Sequence, residues 1–225
     1  KERFLHGDMT FDLYRGGNAR TVYILVPRGL GEETEKWAEE AAMVQGCSIV
    51  LVRGMDWNND LTPWPAPGVF RKAKPFEGKA EEFLGEFSGT MVPWFESQAG
   101  LDRQVRTIVG ISLSGLFALW AGFRCGAFQE IAAISGSFWY DGFALWTKER
   151  TLDPAVERIY ISLGDREKRS KDPRMSTVED CTTGIVSSLE GQAQVEYVLE
   201  EDVTHFSPII PRLERLFVYL RQTAE

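Results

Sequence analysis

Histidine and cysteine are scarce in this chain, whose 225 residues hold two of the former and three of the latter. Cys47, Cys125 and Cys181 are odd in number, scattered and free of any Cys-x-x-Cys pair, which argues against a disulfide framework and a thiolate zinc site. His6 and His205 alone cannot build a histidine-rich metal centre. Long apolar runs are missing too, and none approaches the roughly 18 residues of a membrane-spanning helix. The segment Lys1 to Asp8 lacks the apolar stretch of a signal peptide, so a cytoplasmic location is the default expectation. Basic excess is absent: 25 Lys and Arg against 33 Asp and Glu give a net charge of −8, and no cationic stripe offers a nucleic-acid surface. The densest basic run, Arg166 to Arg174, is interrupted by Glu167 and Asp172 and reads as a solvated loop.

What is present suits one soluble globular domain over 1–225, large enough to bury most of its apolar surface around a single core. Thr21 to Val26 (TVYILV) is a short β-branched run closed by Pro27 and Gly29, and predicts a buried strand. Glu32 to Val44 carries Trp37, Ala41 and Val44 at helical spacing and is stopped by Gly46. Ser48 to Val52 predicts a second buried strand. Residues 53–78 show neither period and are rich in Pro and Trp, the profile of an ordered functional loop. A helix is expected from about Lys79 to Glu96, followed by strands over Val105–Val109, Ile131–Ser135, Arg158–Leu163 and Val195–Leu199. Helices over Leu113–Phe123, Thr177–Leu189 and Ile209–Leu220 alternate with them. Such alternation implies an α/β fold with a mainly parallel, helix-covered sheet, whose ligands bind at the carboxyl ends of the strands.

The residues with chemical potential fall at those ends. Val105 to Trp120 reads strand, sharp turn, helix, with Gly110-Ile111-Ser112-Leu113-Ser114-Gly115 at the turn. A nucleophile elbow has this context, with small residues two before and two after the serine so that helix and strand pack closely. Gly110 meets the first requirement and Ser114 stands where a glycine is usual. Shifting the frame to Ser114 would put bulky Leu116 at the trailing position, so Ser112 is the better nucleophile and Ser114 packs or hydrogen-bonds beneath the turn.

A serine hydroxyl needs a base to take its proton. His6 precedes the first expected sheet strand and suits a surface role, whereas His205 follows the last strand, after Ser112 in the order such folds require. The acid orienting His205 should lie after the penultimate strand, in Ile161-Ser162-Leu163-Gly164-Asp165-Arg166-Glu167. Acids of such sites often sit three residues past a strand-ending glycine, which favours Glu167; Asp165 is the close competitor and Asp202 a remote third. For an oxyanion, the amide of Leu113 is one expected donor, and Arg28 or Gly29 in the loop after the first strand supplies another. Trp57, Trp64, Phe138 and Trp139 also follow strand ends and are candidate walls of an aromatic-lined pocket, with packing beneath the long loop as the alternative.

These motifs resemble the putative-esterase branch of the α/β hydrolases, which includes enterochelin-esterase, feruloyl-esterase and esterase D-like proteins and mycolyltransferases. The likeness rests on Gly110 to Gly115, Ser135-Gly136-Ser137-Phe138-Trp139, Ser162 to Glu167 and Thr204-His205-Phe206, and spans roughly 20–220. It implies an α/β-hydrolase fold with a twisted sheet and helices on both faces, Ser112 as nucleophile, His205 as base, Glu167 as acid, and neither metal nor organic cofactor. A small-molecule ester, of aryl or siderophore type among others, is the implied substrate class, cleaved by a serine esterase through an acyl-enzyme. An acyltransferase using the same intermediate is the alternative, and a non-catalytic binding protein on this fold the remotest reading. Substrate and self-association into a homo-oligomer are left open by these residues.

Overall fold

The computed structural model describes residues 1–17, 20–27, 31–69, 73–101 and 105–221. In chain order its elements are β1 (Glu2–His6), β2 (Met9–Tyr14), β3 (Arg20–Leu25), α1 (Glu32–Gln45), β4 (Ser48–Arg53), α2 (Ala80–Glu86), α3 (Val92–Ala99) and β5 (Val105–Ile111). There follow α4 (Leu113–Gly122), β6 (Glu130–Ile134), α5 (Phe143–Lys148), β7 (Arg158–Gly164), α6 (Val178–Leu189), β8 (Gln194–Glu200) and α7 (Ile210–Arg221). The eight strands form one sheet in the order β1-β2-β4-β3-β5-β6-β7-β8. β4, β3, β5, β6, β7 and β8 run parallel, and the β1–β2 hairpin joins antiparallel to β4.

Alternation along the strands sends neighbouring side chains to opposite faces. Tyr23 and Leu25 of β3 enter the core that also holds Phe83, Phe95, Phe117, Phe143 and Ile185, so α2 to α6 cover this face. Val22 and Ile24 face the opposite core with Trp37, Ala38 and Ala42 of α1 and Leu213, Leu216, Phe217 and Leu220 of α7. Trp37 and Phe217 meet edge to face at 5.4 Å and join the two helices there. α4 is buried all round, as its almost wholly apolar sequence requires.

Two expectations from the sequence are corrected, and one helix is added to them. The first strand is not at Thr21: the β1–β2 hairpin precedes it, and His6 ends β1 with its ring 4.9 Å from that of Trp94. This hairpin escapes a hydrophobic reading because fully buried Asp12 interrupts β2, where Arg3 donates to it at 2.6 and 3.0 Å and Arg53 also binds it. The helix expected over 79–96 is α2 and α3 joined by a π-helical turn at Phe87–Met91. Pro93 has no N–H to bond back to Gly89, and the wider turn accommodates that gap. α5, at six residues, is too short for a helical period to be read. The 53–78 loop contains turns and one isolated antiparallel bridge, Ala66 to Phe76.

Candidate active site

β5 lies inside the sheet and delivers the chain to a sharp turn at Ser112, whose φ of 61° and ψ of −120° are unusual for a non-glycine residue. Such a conformation costs about 1–3 kcal/mol and persists only where its surroundings over-determine it. Here they do. The Ser112 N–H donates to Ile134 O (3.1 Å), and the Ser112 carbonyl accepts from Leu116 N–H (3.1 Å) and Ser137 N–H (3.0 Å). Ser114 is fully buried beneath the turn; its Oγ accepts from Ile111 N–H (2.7 Å) and lies within donating reach of Ile111 O (2.9 Å) and Leu25 O (3.0 Å). The serine that replaces the usual glycine therefore ties the turn to β3. A side chain at Gly110 would sit 1.9 Å from Ser114 O, and one at Gly115 would sit 3.0 Å from Gly136 Cα, which explains both glycines.

The loops after β7 and β8 bring an acid and a histidine to the same edge. Gly164 ends β7 where a Cβ would lie 2.3 Å from Val203 O, so its smallness lets the two loops touch. Asp165 N–H donates to Glu200 O (2.9 Å) and Arg166 N–H to Val203 O (3.1 Å), while Arg166 pairs with Asp202. A short 3-10 turn over Glu167–Arg169 then directs Glu167 inward. His205 stands in a turn in which Ser207 N–H donates to Thr204 O (3.1 Å) and Thr204 N–H to Ser207 Oγ (2.9 Å).

His205 Nε2 lies 3.1 Å from Ser112 Oγ, and His205 Nδ1 lies 2.8 Å from Glu167 Oε2. With the Nδ1 proton donated to the carboxylate, Nε2 presents its lone pair to the serine hydroxyl. The Glu167 side chain is only 4 % exposed, whereas that of His205 is 23 % exposed and reaches solvent. Glu167 Oε1 accepts from Gly164 N–H (2.9 Å) and from the Ser135 hydroxyl. Burial pushes the Glu167 carboxyl upward, but the hydrogen bonds from His205, Ser135 and Gly164 outweigh it and hold the group below its ordinary value. The group is thus an anion at neutral pH, suited to stabilise a charged imidazole. Of the two expected acids, Glu167 is the one in contact with His205.

Leu113 begins α4, so its N–H belongs to the first helical turn, whose amides have no intrahelical acceptor. Arg28 and Gly29 lie outside the described residues. Of the four aromatic candidates, Trp139 lines a cavity of about 330 Å³ beside His205, with Arg166, Arg169, Met175 and Phe206. The Arg166–Arg174 run, expected as a solvated loop, contributes Arg166 and Arg169 to that cavity, and Arg174 places its guanidinium 5.4 Å from the Trp139 ring centre. Trp57 lines a separate space of about 940 Å³ at the ends of β3 and β4, among Pro27, Met55, Asp56, Asp60 and Lys79. Phe138 and Trp64 do not wall either cavity. Phe138 is fully buried and stacked on Phe143, and Trp64 packs on Tyr140, Phe143 and Trp146 while its Nε1 donates to Asp141 O at 2.9 Å.

Three polar residues around the site carried no role in the sequence reading. Ser137 Oγ is 3.3 Å from Ser112 Oγ, Ser135 holds Glu167, and Arg212 of α7 donates to Ser135 Oγ at 2.6 Å. Among the described residues no group of three or more His, Cys, Asp and Glu side chains could hold a metal ion, and no helix is long and apolar enough to cross a membrane.

Comparison with known proteins agrees with this architecture. The family model described as "Putative esterase" matches residues 20–206. The YbbA protein of Bacillus subtilis (strain 168) is 28% identical over 178 residues, covering 73% of this chain and 71% of its own length. Among solved structures, the siderophore hydrolase EstA from Aspergillus nidulans superposes with a TM-score of 0.73 at 20% identity, over 96% of this chain and 91% of that one. An IroE-like serine hydrolase from Shewanella oneidensis superposes with a TM-score of 0.79 at 16% identity, over 98% of this chain and 79% of that one. With a mixed, mainly parallel sheet of the α/β-hydrolase kind and a family match over most of its length, the chain belongs to the esterase family that this model describes and is a carboxylic-ester hydrolase.

Proposed function

We propose that the chain hydrolyses its ester through an acyl-enzyme on Ser112, with His205 as general base and acid and Glu167 as the carboxylate that orients it. The observation that carries this reading is the pair of contacts on one imidazole, 3.1 Å to Ser112 Oγ and 2.8 Å to Glu167 Oε2. His205 Nε2 takes the hydroxyl proton as Ser112 Oγ bonds to the ester carbonyl carbon. The oxyanion that forms is held by Leu113 N–H and by a second amide, that of Arg28 or Gly29. Collapse breaks the bond to the alcohol, which leaves with the proton from His205. Water then repeats the sequence: it gives a proton to His205, attacks the acyl carbon and releases the carboxylic acid as the proton returns to Ser112.

The substrate we infer is an ester of a small aromatic or anionic acyl group, as in siderophore-type esters. Trp139, Phe206 and Met175 offer apolar surface beside His205, and Arg169 offers positive charge to it, the charge of Arg166 being paired with Asp202. The siderophore hydrolase named among the structural relatives supports the same class. A panel of p-nitrophenyl and catechol-type esters tests the proposal. Aryl or anionic acyl esters should be turned over with the highest kcat/KM, and Ser112→Ala should abolish turnover. Full activity in Ser112→Ala would overturn the mechanism; a preference for long alkyl chains would overturn the substrate class.

A further inference from the structure

Behind the site lies the buried guanidinium of Arg212, near the start of α7. Its Nε donates to Glu200 Oε1 at 2.6 Å, its Nη1 to Ser135 Oγ at 2.6 Å, and its side chain is 3 % exposed. Its Nη2 lies 3.9 Å from Glu167 Oε1, close enough for charge attraction but too far for a hydrogen bond. Ser135 stands between the two. Because its oxygen accepts from the guanidinium, its single proton is directed to Glu167 Oε1.

We propose that Arg212 and Ser135 form a positioning relay for catalysis: the guanidinium polarises the Ser135 hydroxyl, which pins Glu167 Oε1 so that Oε2 faces His205. The inference rests on the triad reading above and extends it by two residues that touch neither substrate nor the reacting atoms. A hydroxyl that accepts from a cation is a stronger donor, and a carboxylate held at both oxygens keeps its plane. Without Ser135, Oε1 would keep one hydrogen bond, from Gly164 N–H at 2.9 Å, beside the undirected charge of Arg212 at 3.9 Å, and the carboxylate could rotate away from the imidazole. The backbone points the same way. Ser135 has φ 49°, a region that favours glycine, yet it carries a side chain whose hydroxyl is used on both sides. A purely structural ion pair between Arg212 and Glu200 accounts for the α7 to β8 contact but not for the serine placed between arginine and acid.

Removing Arg212 would also take from buried Glu200 one of its two arginine partners, leaving Arg215, so the hydroxyl is the group to remove. Ser135→Gly deletes it while suiting the positive φ, and Ser135→Ala deletes it while keeping Cβ. Both full-length variants are compared with wild type and Ser112→Ala by steady-state kinetics on a p-nitrophenyl ester, by melting temperature, and by the downfield proton resonance of His205 Nδ1–H. In both, kcat should fall by about 10-fold, as expected when a hydrogen bond to a charged group is lost, with KM unchanged. Each variant loses two buried hydrogen bonds, so both melting temperatures should fall by a few degrees while the proteins stay folded at the assay temperature, and the resonance should move upfield in both. Wild-type kcat with an unmoved resonance overturns the relay, as does a loss confined to KM or one that comes from unfolding at the assay temperature. If wild type itself fails to turn over ester, the triad reading fails; the resonance still decides the relay, a displaced signal supporting it and an unmoved one overturning it.

Discussion

His205 and Glu167 are 38 residues apart in sequence, yet Nδ1 and Oε2 lie 2.8 Å apart because the loops after β7 and β8 pack through Gly164. Two residues nearer the strand, Asp165 bonds through its backbone to Glu200 O. Glu167→Gln should therefore lower kcat by about 1,000-fold or more, since an amide cannot stabilise the imidazolium and favours the wrong tautomer. Asp165→Asn should leave kcat within a few-fold of wild type. Parallel kinetics on the two variants separate these outcomes, and the reverse pattern would transfer the acid role to Asp165.

Gly110→Ala should disable the turn itself. The added Cβ, fixed by the backbone, would meet the backbone Ser114 O at 1.9 Å, so no rotamer change relieves it. A loss of about 2–3 kcal/mol is expected from forced overpacking. Urea unfolding measures it, and activity should fall with it as Ser112 shifts.

Ser114→Ala tests the turn from below. The variant loses the acceptor for Ile111 N–H and the one hydroxyl proton within reach of Ile111 O and Leu25 O, worth about 1 kcal/mol or a fall of about 2–4 °C in melting temperature. It should still be acylated, because Ser112 keeps its contact with His205. Complete loss of acylation in a folded Ser114→Ala protein would point to the alternative frame.

Asp12 links stability to pH. Burial opposes its charge, but the Arg3 hydrogen bond and the nearby charges of Lys1, Arg3 and Arg53 hold its carboxyl below the ordinary value. A depressed folded-state value stabilises the fold above the unfolded value of about 3.9, and this contribution is lost as pH falls through the folded-state value. Asp12→Asn should cost about 3 kcal/mol at pH 7 by leaving the cations without their carboxylate. Because the variant has already lost the contribution, the gap between the two proteins should narrow below about pH 4. Denaturant unfolding at pH 7 and pH 3 checks both statements, and an equal gap at the two values would contradict them.

Local patterns made part of this molecule readable from residues alone. The elbow is a contiguous strand, turn and helix, and its Gly110 and Ser112 are fixed by sterics within a few residues. The position of His205 follows from scarcity and chain order. The choice between Glu167 and Asp165 depends on whether a 3-10 turn points one side chain back at Gly164 N–H, and no period reports that. Ser135 and Arg212 are 77 residues apart and meet only because β6 and α7 pack on the same sheet, so no spacing could announce them. The N-terminal hairpin was hidden by a buried charge in β2, since its pattern looks polar until Arg3 and Arg53 are seen to neutralise Asp12. Aromatic content likewise says that side chains will pack, not where: Trp139 reaches the cavity beside His205, while Phe138, its neighbour, faces the core.

The central claim is that Ser112 is the acylated nucleophile. Treating wild type, Ser112→Ala and His205→Ala with an active-site fluorophosphonate, followed by intact mass and peptide mapping, tests it most directly. One phosphonyl adduct per wild-type chain, mapped to Ser112 and absent from Ser112→Ala, with labelling of His205→Ala slowed by orders of magnitude, is the predicted result. A folded wild-type protein that stays unlabelled, or an adduct on any other serine, would contradict it.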